Sequence, residues 1–233
     1  TPSNSSAASD VYKRQHMHSK KNVQIHSVGI DVTRAWSVTQ EAKSIARKKI
    51  RQELNIPEDA FLISSVGELS NRKNHRIVLD ALQLMSQDEL TNIYYVIAGT
   101  GNNGNMLQEM AQSFGFENHF HLLGYRSDIH DINYASNVSI LPSLREGIGL
   151  AGLDATVDGT YLLGTKKGGV SDYIRDGVNG NLFEPDSPEI LQKLIKNCLL
   201  NTPITARFNY LKRFDRTQID EDMYDIYQRL GNE

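Results

Sequence analysis

From Ala60 onward the chain alternates between short unbroken apolar runs and longer stretches in which apolar residues recur every three or four positions. The runs FLISSVG (61–67), NIYYVIAG (92–99), HFHLLG (119–124), NVSILP (137–142), TYLLGTK (160–166) and NLF (181–183) read as strands. Between and after them, the periodicity predicts helices over about 73–85, 105–114, 129–135, from a start near Gly149, and over 170–175 and 188–199. Strands that are apolar throughout, rich in Val, Ile, Leu and Tyr and separated by helices, indicate a parallel sheet covered on both faces. The predicted fold class is α/β, a Rossmann-like parallel sheet with helices on both faces. Such sheets bind ligands at the carboxyl ends of their strands.

Upstream of the alternation, Gln40 to Leu54 places Ala42, Ile45, Ala46, Ile50 and Leu54 on one helical face, with Lys43, Arg47, Lys48 and Arg51 largely on the other. Val23 to Asp31 alternates loosely and reads as a strand or extended linker. A last amphipathic helix, about 218–230, carries Ile219, Met223, Ile226, Tyr227 and Leu230 on one face. The expected organisation is a disordered or non-native tail over 1–22, a linking strand and helix over 23–60, the sheet domain over 61–199, and a linker and helix over 200–233. No internal repeat is evident.

Composition narrows the function classes. The 233 residues are ample for a buried core, and 39% hydrophobic with 23% charged residues is a globular balance. A net charge of −3 excludes the chain as a general electrostatic partner for nucleic acid. The one cysteine, Cys198, excludes an internal disulfide or a cysteine-based zinc site and fits a reducing compartment. No apolar run is long enough to span a membrane, and the first residues lack the order of a signal peptide. A cytoplasmic protein is expected. The basic face of 40–54 reads ordinarily as a solvated face; the alternative is peripheral contact with an anionic membrane at the inner face.

Four loops at the carboxyl ends of the predicted strands carry the candidate chemistry. GTGNNG, Gly99 to Gly104, is formally G-x-G-x-x-G, but the next strand ends in Leu123-Gly124-Tyr125 with no acid for a ribose. We read it as a tight turn whose glycines and asparagines supply left-handed conformations, and not as a dinucleotide site. SVGELSNRKNH, Ser65 to His75, ends a strand at Gly67 and puts Arg72 and Lys73 where a helix begins, a place that suits a diphosphate. In PSLREGIGLAGLDA, Pro142 to Ala155, Gly147 and Gly149 let backbone amides approach a ligand closely. Glu146 in that loop and Asp154 about a turn into the helix are placed to face one cleft and accept hydrogen bonds from sugar hydroxyls. Gly168-Gly169 is a second glycine pair opening a helix, and DGVNG (176–180) is a structural turn.

These motifs, namely VGELSNRKNH, the IAGTG turn, LLGYRSDI, ILPSLREGIGLAGLDA and GGVSDYIRDGVNGNLFEP, occur in the order found in family 4 glycosyltransferases. The resemblance covers about residues 21–233 and is strongest to bacterial capsular and exopolysaccharide enzymes. It implies the carboxyl-terminal, nucleotide-sugar-binding half of a two-domain GT-B enzyme that retains anomeric configuration. By the same resemblance no cofactor and no metal are expected, the donor being a nucleotide-sugar and most simply a UDP-sugar. The acceptor would be a glycan or a lipid-linked one. By position, Lys73 would neutralise the donor diphosphate, with Arg72 supplying a cation where the family commonly has one in place of Glu68. Glu146 would contact the sugar, and the amides of Gly147, Ile148, Gly149 and Leu150 would hold sugar and phosphate. Asp154 stands for the glutamate that holds the ribose, one methylene shorter. The segment Gly124 to Arg126, with Tyr125, would lie against the base.

Tyr161 stands where the family usually has proline, which is expected to alter the entry to that strand. The resemblance also implies that the amino-terminal acceptor domain is missing from these residues, so that alone they would bind donor weakly and transfer poorly. Two other functions remain open: a non-catalytic nucleotide-sugar-binding module, and a nucleotide-sugar epimerase, for which no further acid or base signature stands out.

Overall fold

The computed structural model describes residues 29–201 and 209–231. The expectations for 1–22 and most of Val23 to Asp31 fall outside the described residues, as does the side chain of Leu230. Six strands form one parallel sheet: β1 (Phe61–Val66), β2 (Ile93–Ala98), β3 (Phe120–Leu122), β4 (Val138–Leu141), β5 (Tyr161–Thr165) and β6 (Gly180–Phe183), in the order β3-β2-β1-β4-β5-β6. The strand order reverses between β1 and β4, so the crevice of this doubly wound sheet opens there. The β1–β4 register holds only two pairs, Ile63 with Val138 and Ser64 with Ser139, whereas β1 pairs with β2 over its whole length. Past the last pair, the Ser65 hydroxyl donates to the Ile140 carbonyl at 2.8 Å.

The helices are α1 (Arg34–Ser37), α2 (Gln40–Glu53), α3 (Arg76–Gln83), α4 (Gln87–Leu90), α5 (Gly104–Ser113), α6 (Ile129–Ala135), α7 (Leu150–Asp158), α8 (Pro188–Leu200) and α9 (Arg216–Gly231). On one face of the sheet Ile77, Leu82, Leu107, Ala111, Leu191 and Ile195 from α3, α5 and α8 cover the strands. On the other, Ile50, Ile132 and Ala135 from α2 and α6 form one cluster, and Leu153 and Val157 from α7 another. Val32, Ala35, Leu211 and Phe214 join the α7 cluster. Ile30 bridges Asp215, its amide donating to the Phe214 carbonyl at 2.9 Å while its carbonyl accepts from Arg216 at 3.0 Å.

Three expectations are corrected. The helix expected from Lys73 begins at Arg76, because Lys73 and Asn74 close a turn onto the Ser70 carbonyl and Asn74 takes φ +54°. The stretch 170–175 is not a helix of its own; Gly168–Asp172 forms a single tight 3₁₀ segment. The third correction concerns α2, where Ala42 and Ile45 are exposed and Lys43, Arg47 and Arg51, four residues apart, line the packed face. All three donate to carbonyls, and Arg47 also lies 4.0 Å from the Glu58 carboxylate. Lys43 donates to Asp158, Arg47 to Ala135 at 2.7 Å, and Arg51 to Ala135, Pro57 and Ala60 and to the Asn137 side chain. The last turns of α6 and α7 leave carbonyls without helical partners, and these cations satisfy them. Arg51 is fully buried without a carboxylate among these acceptors, and burial pulls its pKa down to about 10.

Candidate active site

The loops after β1 and β4 meet across the reversal point. The amide of Leu144 donates to the Arg72 carbonyl at 2.9 Å, and Lys73 Nζ lies 2.5 Å from Glu146 Oε1. Both side chains of that pair are largely withdrawn from solvent, at 15% and 8% exposure. The Ser143 hydroxyl donates to the same Glu146 oxygen at 2.7 Å. Gly67 leaves room for the Lys73 stem, whose Cδ would sit 3.4 Å from a β-carbon there. Arg72 stays exposed; it faces Glu68 at 3.8 Å and reaches the Arg145 carbonyl at 3.4 Å. Two residues on, His75 is 3% exposed with neither ring nitrogen at hydrogen-bonding geometry, although the Gly67 and Glu68 backbones are near. Burial, and then the Lys73 charge, hold its pKa at about 4, so the ring is uncharged at neutral pH.

Gly147 is exposed with open space where a β-carbon would stand. Gly149, at φ +73°, precedes α7 without a side-chain cap; its carbonyl takes the Gly152 and Leu153 amides, which leaves those of Leu150 and Ala151 for another acceptor. Ile148 packs into the core beneath and Leu150 is 40% exposed. The glycine at 149 answers to packing as much as to ligand approach: a β-carbon would come within 2.7 Å of Leu141, and its carbonyl accepts from the buried Tyr173 hydroxyl at 2.9 Å. Tyr173 lies near both acids. Its pKa is raised well above the ordinary range by burial first, then by the charges of Glu146, Asp172 and Asp154.

Gly168 and Gly169 open the short 3₁₀ segment, as expected, and they also support the Glu146 loop. A β-carbon on Gly168 would lie 2.0 Å from the Glu146 carbonyl oxygen, and the Gly169 amide donates to Gly147 O at 2.5 Å. The GTGNNG turn also has a different reason for its glycines. Asn102 and Asn103 have no positive φ, and a β-carbon on Gly99 would meet the Gly67 carbonyl at 1.9 Å. Close approach to the Lys73 loop, more than handedness, demands glycine there.

The two acids expected to share one cleft have separate partners. Asp154 Oδ1 accepts from Arg34 at 2.6 Å, and Arg34 also reaches Asp158 at 3.3 Å. Asp158 is buried and accepts from His130 at 2.8 Å, Asn133 at 2.7 Å and Tyr134 at 3.3 Å. Burial raises the pKa of Asp154, with Arg34 opposing it. Arg34, Asp158, Ser143 and the support given by Gly168 were not singled out in the sequence. Of these only the glycine pair left a visible signal.

At the end of β3, Gly124 sits at φ +66° and Tyr125 is 84% exposed. Arg126 is held by Asp128 at 2.8 Å and Glu53 at 2.5 Å, so its guanidinium is committed to two carboxylates. Tyr161 begins β5 with its hydroxyl donating to Asn181 at 2.6 Å, and the strand keeps its full pairing with β4. No group of three or more His, Cys, Asp or Glu side chains among the described residues is placed to hold a metal ion. No helix among them is long and apolar enough to cross a membrane.

The chain is similar in sequence and in fold to known proteins. EpsD of Bacillus subtilis, which carries a glycosyltransferase name, is 26% identical over 208 residues, covering 87% of this chain and 53% of EpsD. The lipopolysaccharide glucosyltransferase WaaG of Escherichia coli is 23% identical over 222 residues, or 95% of this chain and 58% of WaaG. The crystal structure of Anabaena HepE in complex with UDP and glucose superposes with a TM-score of 0.80 at 23% identity, covering 97% of this chain and 62% of HepE. The chain spans about half the length of the curated relatives it matches. A family model described as glycosyl transferases group 1 matches residues 46–214, from α2 through the sheet to Phe214. The chain belongs to the group 1 glycosyl transferases.

Proposed function

We propose that residues 61–199 bind the donor in a retaining glycosyltransferase of the family 4 type, which transfers a sugar from a UDP-sugar to a glycan or lipid-linked acceptor in surface polysaccharide synthesis. The observation that carries this reading is the Lys73–Glu146 pair across the reversal of strand order, beside the uncapped start of α7. A cation and helix-terminal amides at one point suit a diphosphate leaving group, whose negative charge grows as the sugar departs. Glu146, held by Lys73 and Ser143, is ready to accept hydrogen bonds from sugar hydroxyls. Tyr125 offers an exposed ring beside the base, and Asp154 an acceptor for the ribose. The UDP and glucose in the HepE structure support a UDP-sugar, and the glucosyltransferase name of WaaG supports a surface glycan as product. Peripheral contact of α2 with an anionic membrane would rest on the exposed Lys48, since Lys43, Arg47 and Arg51 donate to internal carbonyls.

The reading is tested by titrating UDP-, ADP- and GDP-sugars against the chain and its variants. Saturable UDP-sugar binding is expected, weakened about 10- to 150-fold in Lys73→Ala, the span for a hydrogen bond to a charged group. No saturable binding of any nucleotide-sugar by the wild type would reject it. Transfer to a lipid-linked glycan with anomeric retention, followed by NMR on these residues joined to an acceptor domain, then separates an enzyme from a binding module.

A further inference from the structure

Arg34 reaches α7 from outside the sheet. The chain turns into α1 just before it, Asp31 Oδ1 accepting from the Thr33 amide at 2.9 Å and from its hydroxyl at 2.5 Å. The Arg34 guanidinium then lies along α7, contacting Asp154 and Asp158 one helical turn apart. Two carboxylates at that spacing repel each other, and a cation between them turns the repulsion into a bridge. The two acids differ in what remains free. Both oxygens of Asp158 are filled, Oδ1 by Arg34 and Tyr134 and Oδ2 by His130 and Asn133, and its side chain is fully buried. Asp154 keeps 27% side-chain exposure, and the bond to Arg34 takes Oδ1 alone.

We propose that Arg34 is a positioning residue for nucleoside recognition: it pins Oδ1 of Asp154 so that Oδ2 is presented as the acceptor for a ribose hydroxyl of the donor. The inference rests on the donor-binding reading above. A short side chain that must reach a ligand gains more from a fixed rotamer than a long one, because it has less length with which to correct its aim. The guanidinium also favours the ionised carboxylate against the burial that disfavours it. Asp158 serves as the anchor that aims Arg34.

The test titrates UDP, 2′-deoxy-UDP and 3′-deoxy-UDP against the wild type, Arg34→Met, Arg34→Lys and Asp154→Asn, with melting curves to confirm folding. Wild type should prefer UDP over at least one deoxy analogue by about ten-fold or more, as expected for losing a bond to a carboxylate. In Arg34→Met and Asp154→Asn that preference should fall to near unity, and Arg34→Lys should recover part of it. In Arg34→Met, UDP affinity should also begin to fall at a higher pH than in wild type as the solution is acidified. A purely structural role would weaken all three ligands equally. Unchanged preference in a folded Arg34→Met, or no preference in a wild type that binds UDP, overturns the inference alone. If Arg34→Met does not fold, an unchanged preference in Asp154→Asn does the same. A wild type that binds no UDP rejects the donor-binding reading and this inference with it.

Discussion

Gly168 and Gly177 share a backbone conformation, φ +73° and +74°, but not an environment. Nothing lies within 4 Å of a β-carbon on Gly177, whereas one on Gly168 would stand 2.0 Å from the Glu146 carbonyl oxygen. Alanine at either position incurs the left-handed cost of about 1 to 2 kcal/mol. At Gly168 it must also push the Glu146–Gly147 backbone aside, at about 1 to 3 kcal/mol for an overpacked contact. Gly177→Ala is therefore expected to melt a few degrees low, at about 2 to 4 °C per kcal/mol for a chain of this size, and to bind UDP as wild type does. Gly168→Ala should melt on the order of 5 to 15 °C low and lose most UDP affinity, because Glu146 and the Gly147 amide move together. Differential scanning fluorimetry and calorimetric titration on both variants give the comparison. If Gly168→Ala melts and binds like Gly177→Ala, the Glu146 loop does not depend on the glycine beneath it.

Arg51→Met removes the donors that hold Ala135, Pro57, Ala60 and Asn137, and chemical denaturation should show a loss of about 1 to 3 kcal/mol or more, as for buried acceptors left unsatisfied. The pKa of His130 is raised, first by its hydrogen bond to Asp158. A raised folded-state pKa gives stability that is fully present below the unfolded value near 6.5 and is lost as pH rises through the folded value. The stability gap between wild type and His130→Gln, measured from urea midpoints, should therefore be wide at pH 5.5 and narrow at pH 8.5. A gap that widens with pH would refute the His130–Asp158 assignment. Tyr125→Ala, at an 84% exposed position, should leave the melting temperature within about a degree while weakening UDP binding several-fold, as loss of a base-stacking ring predicts.

The strands were legible because parallel strands covered on both faces must be apolar at every position, and Phe61–Val66 and Ile93–Ala98 are nearly so. Their order was not, since pairing Ile63 with Val138 is decided by packing across the whole sheet. The polar stripe of α2 was misassigned because Lys43, Arg47 and Arg51 look solvated to any pattern that counts only apolar residues. Whether a cation faces water or a helix-end carbonyl depends on where Ala135 and Asp158 end their helices. Lys73 and Glu146 stood out through neighbouring glycines and spacing, yet their mutual bond joins residues 73 positions apart. Arg34 left no local trace, and its bond to Asp154 joins residues 120 positions apart.

The brevity of the β1–β4 ladder gives the crevice a mechanical property. Beyond Ser64 and Ser139 the two strands are joined by no further paired residues, β1 continuing alongside β2 and β4 alongside β5. Each half of the sheet thus carries one wall of the cleft on its own ladder. What spans the gap at the far edge is a handful of ties: Ser65 to Ile140, Leu144 to Arg72, and Lys73 to Glu146. None of these ties is itself a strand pair. The mouth is thus walled by two strands whose ladders run outward, β1 to β2 and β4 to β5, rather than by strands paired with each other.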